Sequence, residues 1–292
     1  MASKIIPLIP KHTVYVEPFA GGAAIMFTKP EPAINDHNYY REVLNDIDGD
    51  LVNFYRQLRD HGDDLVRLLN LTPFSEAEYA LSKRLNEGDD LEKARRYFVN
   101  MQQGFLSQKN NGWKTSLNGG NDASTFRNKV VTLHKYLNRI SKVYVSCKPY
   151  VACIKKWDSP QTFFYCDPPY PGTDQGHYHG YTVTDFKNLV DTLTDIQGSF
   201  ILSCYACDET VPAEWERFSF GHWTSSTSAK NVQDRRTEIV YRHISNKPVR
   251  PEIQKLYDQG KFDCFQGKKL VKRVPIRETI KREQIRCYHG YD

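Results

Sequence analysis

Asp167, Pro168, Pro169 and Tyr170 follow one another directly after the apolar run Phe163 to Cys166. Two adjacent prolines fix φ and remove two backbone donors, so the turn is stiff and presents carbonyl oxygens as acceptors. An exocyclic amine meeting this turn can give one hydrogen to the Asp167 carboxylate and the other to the Pro168 carbonyl, both pure acceptors. Its nitrogen lone pair then points to the open side. Positive charge growing on that nitrogen during methyl transfer is stabilised by negative ends already in place. The Tyr170 ring adds a face on which a nucleobase can stack, worth roughly 1–3 kcal/mol. Double-proline turns also occur in plain loops, so this chemistry needs support from elsewhere in the chain.

Two further clusters supply it. Glu17, Pro18 and Phe19 lead into Ala20, Gly21, Gly22 and Ala23, small residues that let a backbone approach a ligand and a following helix present its N-terminus. A purely structural turn is the competing explanation. Asn45, Asp46, Ile47 and Asp48 come next, and an acid at a strand end can accept hydrogen bonds from both ribose hydroxyls of a nucleoside cofactor. Capping of the following helix by Asp48 or Asp50 competes with that reading. Asp46, nearer the strand end, is the choice for the ribose.

These clusters need strands to aim them. β-Branched and aromatic runs predict strands at Val14 to Phe19, Glu42 to Asp46, Val143 to Ser146, Phe163 to Cys166, Phe200 to Cys204 and Glu238 to His243. Helical spacing marks Leu51 to Arg59 and Thr184 to Leu193. In an open parallel sheet, ligands bind beyond the carboxyl ends of strands, where all three clusters fall. Between residues 60 and 142 the pattern turns helical, at Leu65 to Leu71, Glu76 to Leu85 and Leu91 to Gln103. A Gly, Asn and Ser-rich stretch from Gln108 to Ser124 then breaks it. The expectation is an α/β sheet domain, residues 1–59 and 143–246, interrupted by a mostly helical insertion, residues 60–142, and followed by a basic extension, residues 247–292.

The net charge of +5 is unevenly spread: Lys93 to Lys142 holds ten Lys and Arg against one acid, Asp122. The stretch from Lys247 to Asp292 holds twelve against six. Such asymmetry is the footprint of a polyanion binder, because neutralised phosphates release counterions; a solvated helix face is the alternative. Seven cysteines at irregular spacing do not read as a disulfide framework. The first residues lack a signal-peptide core, and no apolar run approaches the roughly 20 residues of a membrane span. A reduced, cytoplasmic protein with no membrane contact is expected.

Taken in order, Glu17 to Gly22, Asn45-Asp46 and Asp167 to Tyr170, with a long insertion between the second and third, resemble the Dam-type DNA adenine methyltransferases. The resemblance runs roughly from Tyr15 to Tyr241 and takes in Phe163 to Gly172, Ile201 to Ser203 and Arg236 to Tyr241. It implies a Rossmann-like sheet binding S-adenosylmethionine, and methylation of the 6-amino group of an adenine swung out of double-stranded DNA. The implied cofactor residues are Lys4, Glu17, Pro18, Phe19, Gly21, Gly22 and Asp167, with Asp46 on the ribose. Asp167, Pro168, Pro169 and Tyr170 would surround the adenine. The insertion would be the target-recognition domain, with Arg95, Arg96, Lys109, Trp113 and Lys114 as DNA contacts among the aromatics Tyr97, Phe98 and Phe105. GATC is the implied first site to try, restriction-modification an allowed setting, and a bacterial or phage-infected cell the implied location.

The family's Gly-Gly-Lys segment is missing, with Lys4 as its remnant, and Ala23 stands where the cofactor loop usually ends in Gly. Cys204 and Cys207 have the spacing of half a zinc knuckle, but no second pair follows. His177 and His179 read as a loop near the flipped base rather than a metal pair. Methyl transfer needs none: it is displacement at a sulfonium, helped by holding donor and acceptor in line. RNA adenine or the 4-amino group of cytosine are rival acceptors, and an inactive DNA-binding regulator is a rival of another class. The tail beyond Asn246 either adds DNA contacts or packs, and nothing specifies assembly beyond a monomer or weak dimer.

Overall fold

The computed structural model describes residues 1–31, 39–105, 109, 111–115, 120–170, 181–205, 210–223 and 236–259. His177, His179, Cys207 and the tail from residue 260 therefore lie outside the described residues.

Strands form where runs of Val, Ile, Phe and Tyr can be buried on both faces. They are β1 (Val14–Glu17), β2 (Arg41–Asn45), β3 (Tyr144–Ser146), β4 (Thr162–Cys166), β5 (Ser199–Tyr205), β6 (Glu216–Trp223) and β7 (Arg236–His243). One sheet joins them in the order β3-β2-β1-β4-β5-β7-β6. β1 to β5 pair in parallel, whereas β7 runs antiparallel to both β5 and β6. The chain leaves β1 towards β2 and β3, then returns to place β4 on the other side of β1. That reversal opens a crevice beyond the carboxyl ends of β1 and β4. The fold is Rossmann-like, as the strand pattern predicts. β6 was not legible: Arg217, Ser219 and His222 break its apolar run, and its pairing slips between Ser219 and His222.

Alternation along the strands gives each face its own core. Tyr15, Phe163, Tyr165 and Ile201 belong to one apolar cluster, and Val14, Val16, Phe164, Phe200 and Leu202 to another. The second cluster is closed by α8 (Tyr150–Trp157) and α9 (Val183–Thr194), through residues such as Ile154 and Leu189. Complete burial of each of these large side chains stabilises by about 1.5–3 kcal/mol.

The first cluster is covered by α1 (Ala2–Ile5), α2 (Ala24–Thr28), α3 (Gly49–Asp60), α4 (Gly62–Leu71), α6 (Asp90–Gln103) and α7 (Asp122–Ile140). α5 (Glu76–Ser82) lies against α6, and α10 (Pro251–Asp258) follows the sheet. The helices of residues 60–142 thus share one core with the sheet. α7, with 19 residues, is the longest described helix and has no counterpart in the sequence expectation. Its signals are the Asn121 cap on Ser124 N and the buried Phe126, Val130, Leu133 and Ile140. The preceding run of Gly, Asn and Ser obscures them. Tyr97 and Phe98, expected beside DNA, are buried instead and pack against Phe54, Phe98 in a stacked pair and Tyr97 in a tilted one.

Candidate active site

The first wall of the crevice is the bend after β1. Gly21 sits at φ +44°, and Ala23 at φ 47°, a left-handed conformation that costs an L-residue about 1–2 kcal/mol. The bend is held from three sides. Tyr55 on α3 donates to Gly21 O at 2.6 Å, Ala20 N donates to Asn45 O at 2.8 Å, and Gly21 N donates to Asp46 Oδ2 at 3.1 Å. Asn45 Nδ2 adds bonds to Pro18 O and Lys148 O, at 3.0 and 2.8 Å. Asn45 thereby joins the exits of β1 and β3, a positioning part that its place beside Asp46 could have suggested.

Glu17 does not reach the crevice. It is 1% exposed, and its Oε1 accepts from Met26 N at 2.9 Å and Tyr15 OH at 2.7 Å. Ala23 has no side-chain cap to offer, so Glu17 takes an orphan N–H of the first turn of α2. Burial pushes its pKa up to about 8. Its part is to hold the bend, not to touch a ligand.

Asp46 does face the crevice. Its Oδ1 accepts from Asp48 N at 3.0 Å, and burial outweighs these backbone bonds to raise its pKa. The backbone N–H groups of Gly21, Asp48 and Ile47 all act on this carboxylate, which keeps a lone pair for a further donor. With Pro18, Phe19, Ile47, Tyr150, Pro169 and Tyr181 it lines a cavity of about 570 Å3. The Phe19 and Tyr150 rings lie 5.1 Å apart at 30°, and the Tyr181 hydroxyl is buried without a hydrogen-bond partner among the described residues. An aromatic wall, a buried acid and an orphaned hydroxyl suit a nucleoside: base on the rings, ribose on Asp46. Gly21 and Gly22 line a neighbouring cavity of about 460 Å3, which shares Asp48 and Lys109 with the first.

The second wall is the turn after β4. Pro168 and Pro169 are buried, and Pro169 belongs to the same cavity as Phe19 and Asp46. The turn and the bend after β1 therefore meet in one space. Asp167 is exposed at the end of β4, two residues before Pro169, and is not itself among the residues of either cavity. The protein packed around its carboxyl pushes the pKa up to about 6, with the charge of Glu238 adding to the rise and bonds from Tyr170 and Tyr165 opposing it. Those bonds run from Tyr170 OH to Oδ1 at 3.1 Å and from Tyr165 OH to Oδ2 at 3.4 Å. The Tyr170 ring meets Tyr205 edge-on at 4.4 Å. Lys4 is not among the residues of either cavity; it donates to Phe220 O at 3.2 Å, and its charge acts on Glu238.

The basic residues of the insertion are largely engaged within the protein. Arg95 bonds Glu92 through two nitrogens at 2.7 and 2.8 Å, Glu78 at 2.5 Å and Thr72 at 3.1 Å. Arg96 bonds Glu92 at 2.7 Å and Arg84 O at 2.9 Å. Most donors of the Arg95 guanidinium, and two of Arg96, are thus spent on bracing α5 and α6. Lys109 bridges Asp48 and Asp50 at 2.7 and 2.9 Å, and those acids outweigh burial to raise its pKa. Lys114 pairs with Asp122 at 2.9 Å, and Arg139 is buried against Glu42. The acids that neutralise Lys93 to Lys142 lie mostly outside that stretch in sequence but beside it in space. Trp113 bridges Gly104 in an antiparallel pair and lies against Phe74 at 5.7 Å. Among the described residues, Lys129 and Lys135 on α7 are exposed and have no ion pair.

Cys204 is buried in β5. Among the described residues no three His, Cys, Asp or Glu side chains gather as a metal site would need. No described helix is long and apolar enough to cross a membrane.

The family model of the D12 class N6 adenine-specific DNA methyltransferases matches residues 1–237. A "Type II methyltransferase M1.LlaDCHI" from Lactococcus lactis subsp. cremoris is 27% identical over 192 residues, 61% of this chain and 64% of the relative. A "DNA N-6-adenine-methyltransferase" from Escherichia phage P1 is 26% identical over 206 residues, 66% of this chain and 26% of the relative. The chain thus spans less than two thirds of either relative's length. Among solved structures, the rRNA methyltransferase aviRa from Streptomyces viridochromogenes superposes with a TM-score of 0.36 at 11% identity, covering 82% of this chain and 83% of that one.

Proposed function

Because the chain belongs to the D12 class of N6 adenine-specific DNA methyltransferases, we propose that it transfers a methyl group from S-adenosylmethionine to the 6-amino group of an adenine extruded from double-stranded DNA. The observation that carries this reading is the meeting of two walls in one cavity: Phe19 and Asp46 from one side, Pro169 of the acceptor turn from the other.

Phe19 and Tyr150 would stack on the cofactor's base, Asp46 would accept its ribose hydroxyls, and the open backbone at Gly21 and Gly22 would take its methionyl part. When bound, S-adenosylmethionine supplies a methyl carbon on a cationic sulfur, and the carbon–sulfur electron pair stays with sulfur as the methyl leaves. Asp167 and the Pro168 carbonyl accept the two amine hydrogens and aim the nitrogen lone pair at that carbon. The Asp167 charge, poised before reaction, stabilises the positive nitrogen, and the Tyr170 ring holds the base by stacking. No metal is needed in this scheme.

Residues 60–142 serve in this reading as the target-recognition part, with 1–59 and 143–246 as the catalytic part and 247–292 as a basic extension. Lys109, Trp113, Lys114, Lys129 and Lys135 are the DNA contacts we propose, while Arg95 and Arg96 act as braces behind them. The test is methyl incorporation from radiolabelled S-adenosylmethionine into matched DNA duplexes, single strands and RNA, beginning with a GATC duplex, with the methylated base identified by mass. N6-methyladenine in duplex DNA supports the proposal. Label appearing only in RNA or on cytosine overturns it.

A further inference from the structure

Ser203 stands in the middle of β5 between Leu202 and Cys204, and is 0% exposed. A hydroxyl in so apolar a strand needs a partner, and Ser203 has two. Its Oγ lies 3.2 Å from Tyr170 OH and donates to Glu238 Oε1 on β7 at 3.3 Å. Tyr170 OH in turn bonds Asp167 Oδ1 at 3.1 Å. Four oxygens, Asp167, Tyr170, Ser203 and Glu238, therefore form one chain with three links.

That chain has room for one more proton than its hydroxyls supply. With both carboxyls ionised, Tyr170 donates to Asp167 and Ser203 donates to Glu238, which leaves the contact between the two hydroxyls without a hydrogen. One added proton fills the gap. A protonated Asp167 donates to Tyr170, Tyr170 to Ser203, and Ser203 to Glu238, so every link is then a hydrogen bond.

We propose that this chain takes up the proton released by the target amine, with Ser203 and Glu238 as positioning residues that make Asp167 ready to receive it. The inference rests on the reading of Asp167 as the amine acceptor. As nitrogen bonds the methyl carbon, one N–H proton passes to the Asp167 carboxylate, and the neutral N-methyl amine remains. The chain reorients to three hydrogen bonds, and Asp167 later returns the proton to solvent at the open crevice. Glu238 acts at a distance by its charge. Among the described residues, the groups that act on Asp167 are Tyr165 and Cys166 from β4, Tyr170 from the turn and Glu238 from β7, while Ser203 and Tyr205 from β5 meet it through Tyr170. Lys4 and the N-terminal amine of α1 act in turn on Glu238. Two acids on one chain oppose each other's ionisation.

Ser203→Ala, Ser203→Thr and Glu238→Gln test this by single-turnover methylation of a duplex substrate across pH, with cofactor affinity measured alongside. Ser203→Ala is expected to slow transfer by about tenfold while cofactor and DNA affinities stay within about twofold, and Ser203→Thr, which keeps the hydroxyl, restores the rate. Glu238→Gln keeps an acceptor for Ser203 but removes the charge, so the acid limb moves down by about half a pH unit or more. A normal rate in Ser203→Ala, no rescue by Thr, or an unmoved acid limb in Glu238→Gln overturns the inference. If Asp167→Ala itself remains active, the functional reading falls instead. If Asp167→Ala is inactive and Ser203→Ala normal, only the chain falls.

Discussion

Glu42, in β2, and Asp46, just beyond its end, are both buried acids, 6% and 3% exposed, yet their surroundings differ in kind. Glu42 is met by Arg139 through two nitrogens at 2.9 and 2.6 Å and by Lys29 at 2.6 Å. Burial opposes its ionisation, but those two cations outweigh it and hold the pKa down to about 2. Among the described residues Asp46 has backbone N–H groups and the neighbouring charge of Asp48, and burial raises its pKa. Asp167, at the end of β4, is raised as well. A matched buried charge holds structure; an unmatched one beside a cavity is, in the function we propose, completed by a ligand.

The sharpest break of that contrast is on the matched side. Glu42→Ala leaves Lys29 and Arg139 buried without their acid, and should cost about 3–5 kcal/mol in denaturant unfolding. A loss below about 1 kcal/mol would mean the cluster is not what ties α2, β2 and α7 together. Because the folded pKa is depressed, this stabilisation is complete above the ordinary value of 4.5 and is lost as pH falls through about 2.

On the unmatched side, Asp46→Asn should weaken S-adenosylmethionine binding by about tenfold to a hundredfold, since a hydrogen bond to a charged group contributes about 1.5–3 kcal/mol. Stability should fall less than in Glu42→Ala, since only one of the Gly21 and Asp48 N–H groups loses its acceptor. Unaltered affinity by calorimetric titration would remove Asp46 from the cofactor site and blur the contrast.

The surface of the insertion gives a smaller effect. Lys129→Glu with Lys135→Glu should flatten the salt dependence of duplex binding by about two counterions, whereas Arg95→Ala should lower stability and leave that slope alone. The reverse result would exchange the roles of brace and contact. Smallest of all, Ala23→Gly should stabilise by about 1 kcal/mol, because glycine accepts the left-handed φ of 47° without steric cost. Destabilisation would show that the Ala23 methyl is part of the packing.

The parallel strands and the three clusters at their ends were legible because burial on both faces demands long apolar runs, and because chemistry at a strand end needs particular residue types. Less legible were features decided by distant neighbours. Glu17 has the type of a ligand contact, but the missing cap at Ala23 turns it inward. Arg95 and Arg96 look free in a basic stretch, yet Glu92 lies just before that stretch and Glu78 one helix away. Ser203 and Glu238 belong to different strands, and only the antiparallel return of β7 brings them together. The length of α7 was hidden because the polar run before it masks the Asn121 cap.

In the reaction we propose, Asp167 is the acceptor for the amine and not a part of the scaffold. Asp167→Asn keeps the shape of the turn but replaces a charged double acceptor with an amide that also donates. Single-turnover methylation of a duplex substrate at saturating S-adenosylmethionine, with cofactor affinity measured on the same protein, tests it most directly. The rate should fall by about a hundredfold to a thousandfold with cofactor affinity within about threefold of the unaltered protein. A variant that methylates at close to the original rate would contradict it.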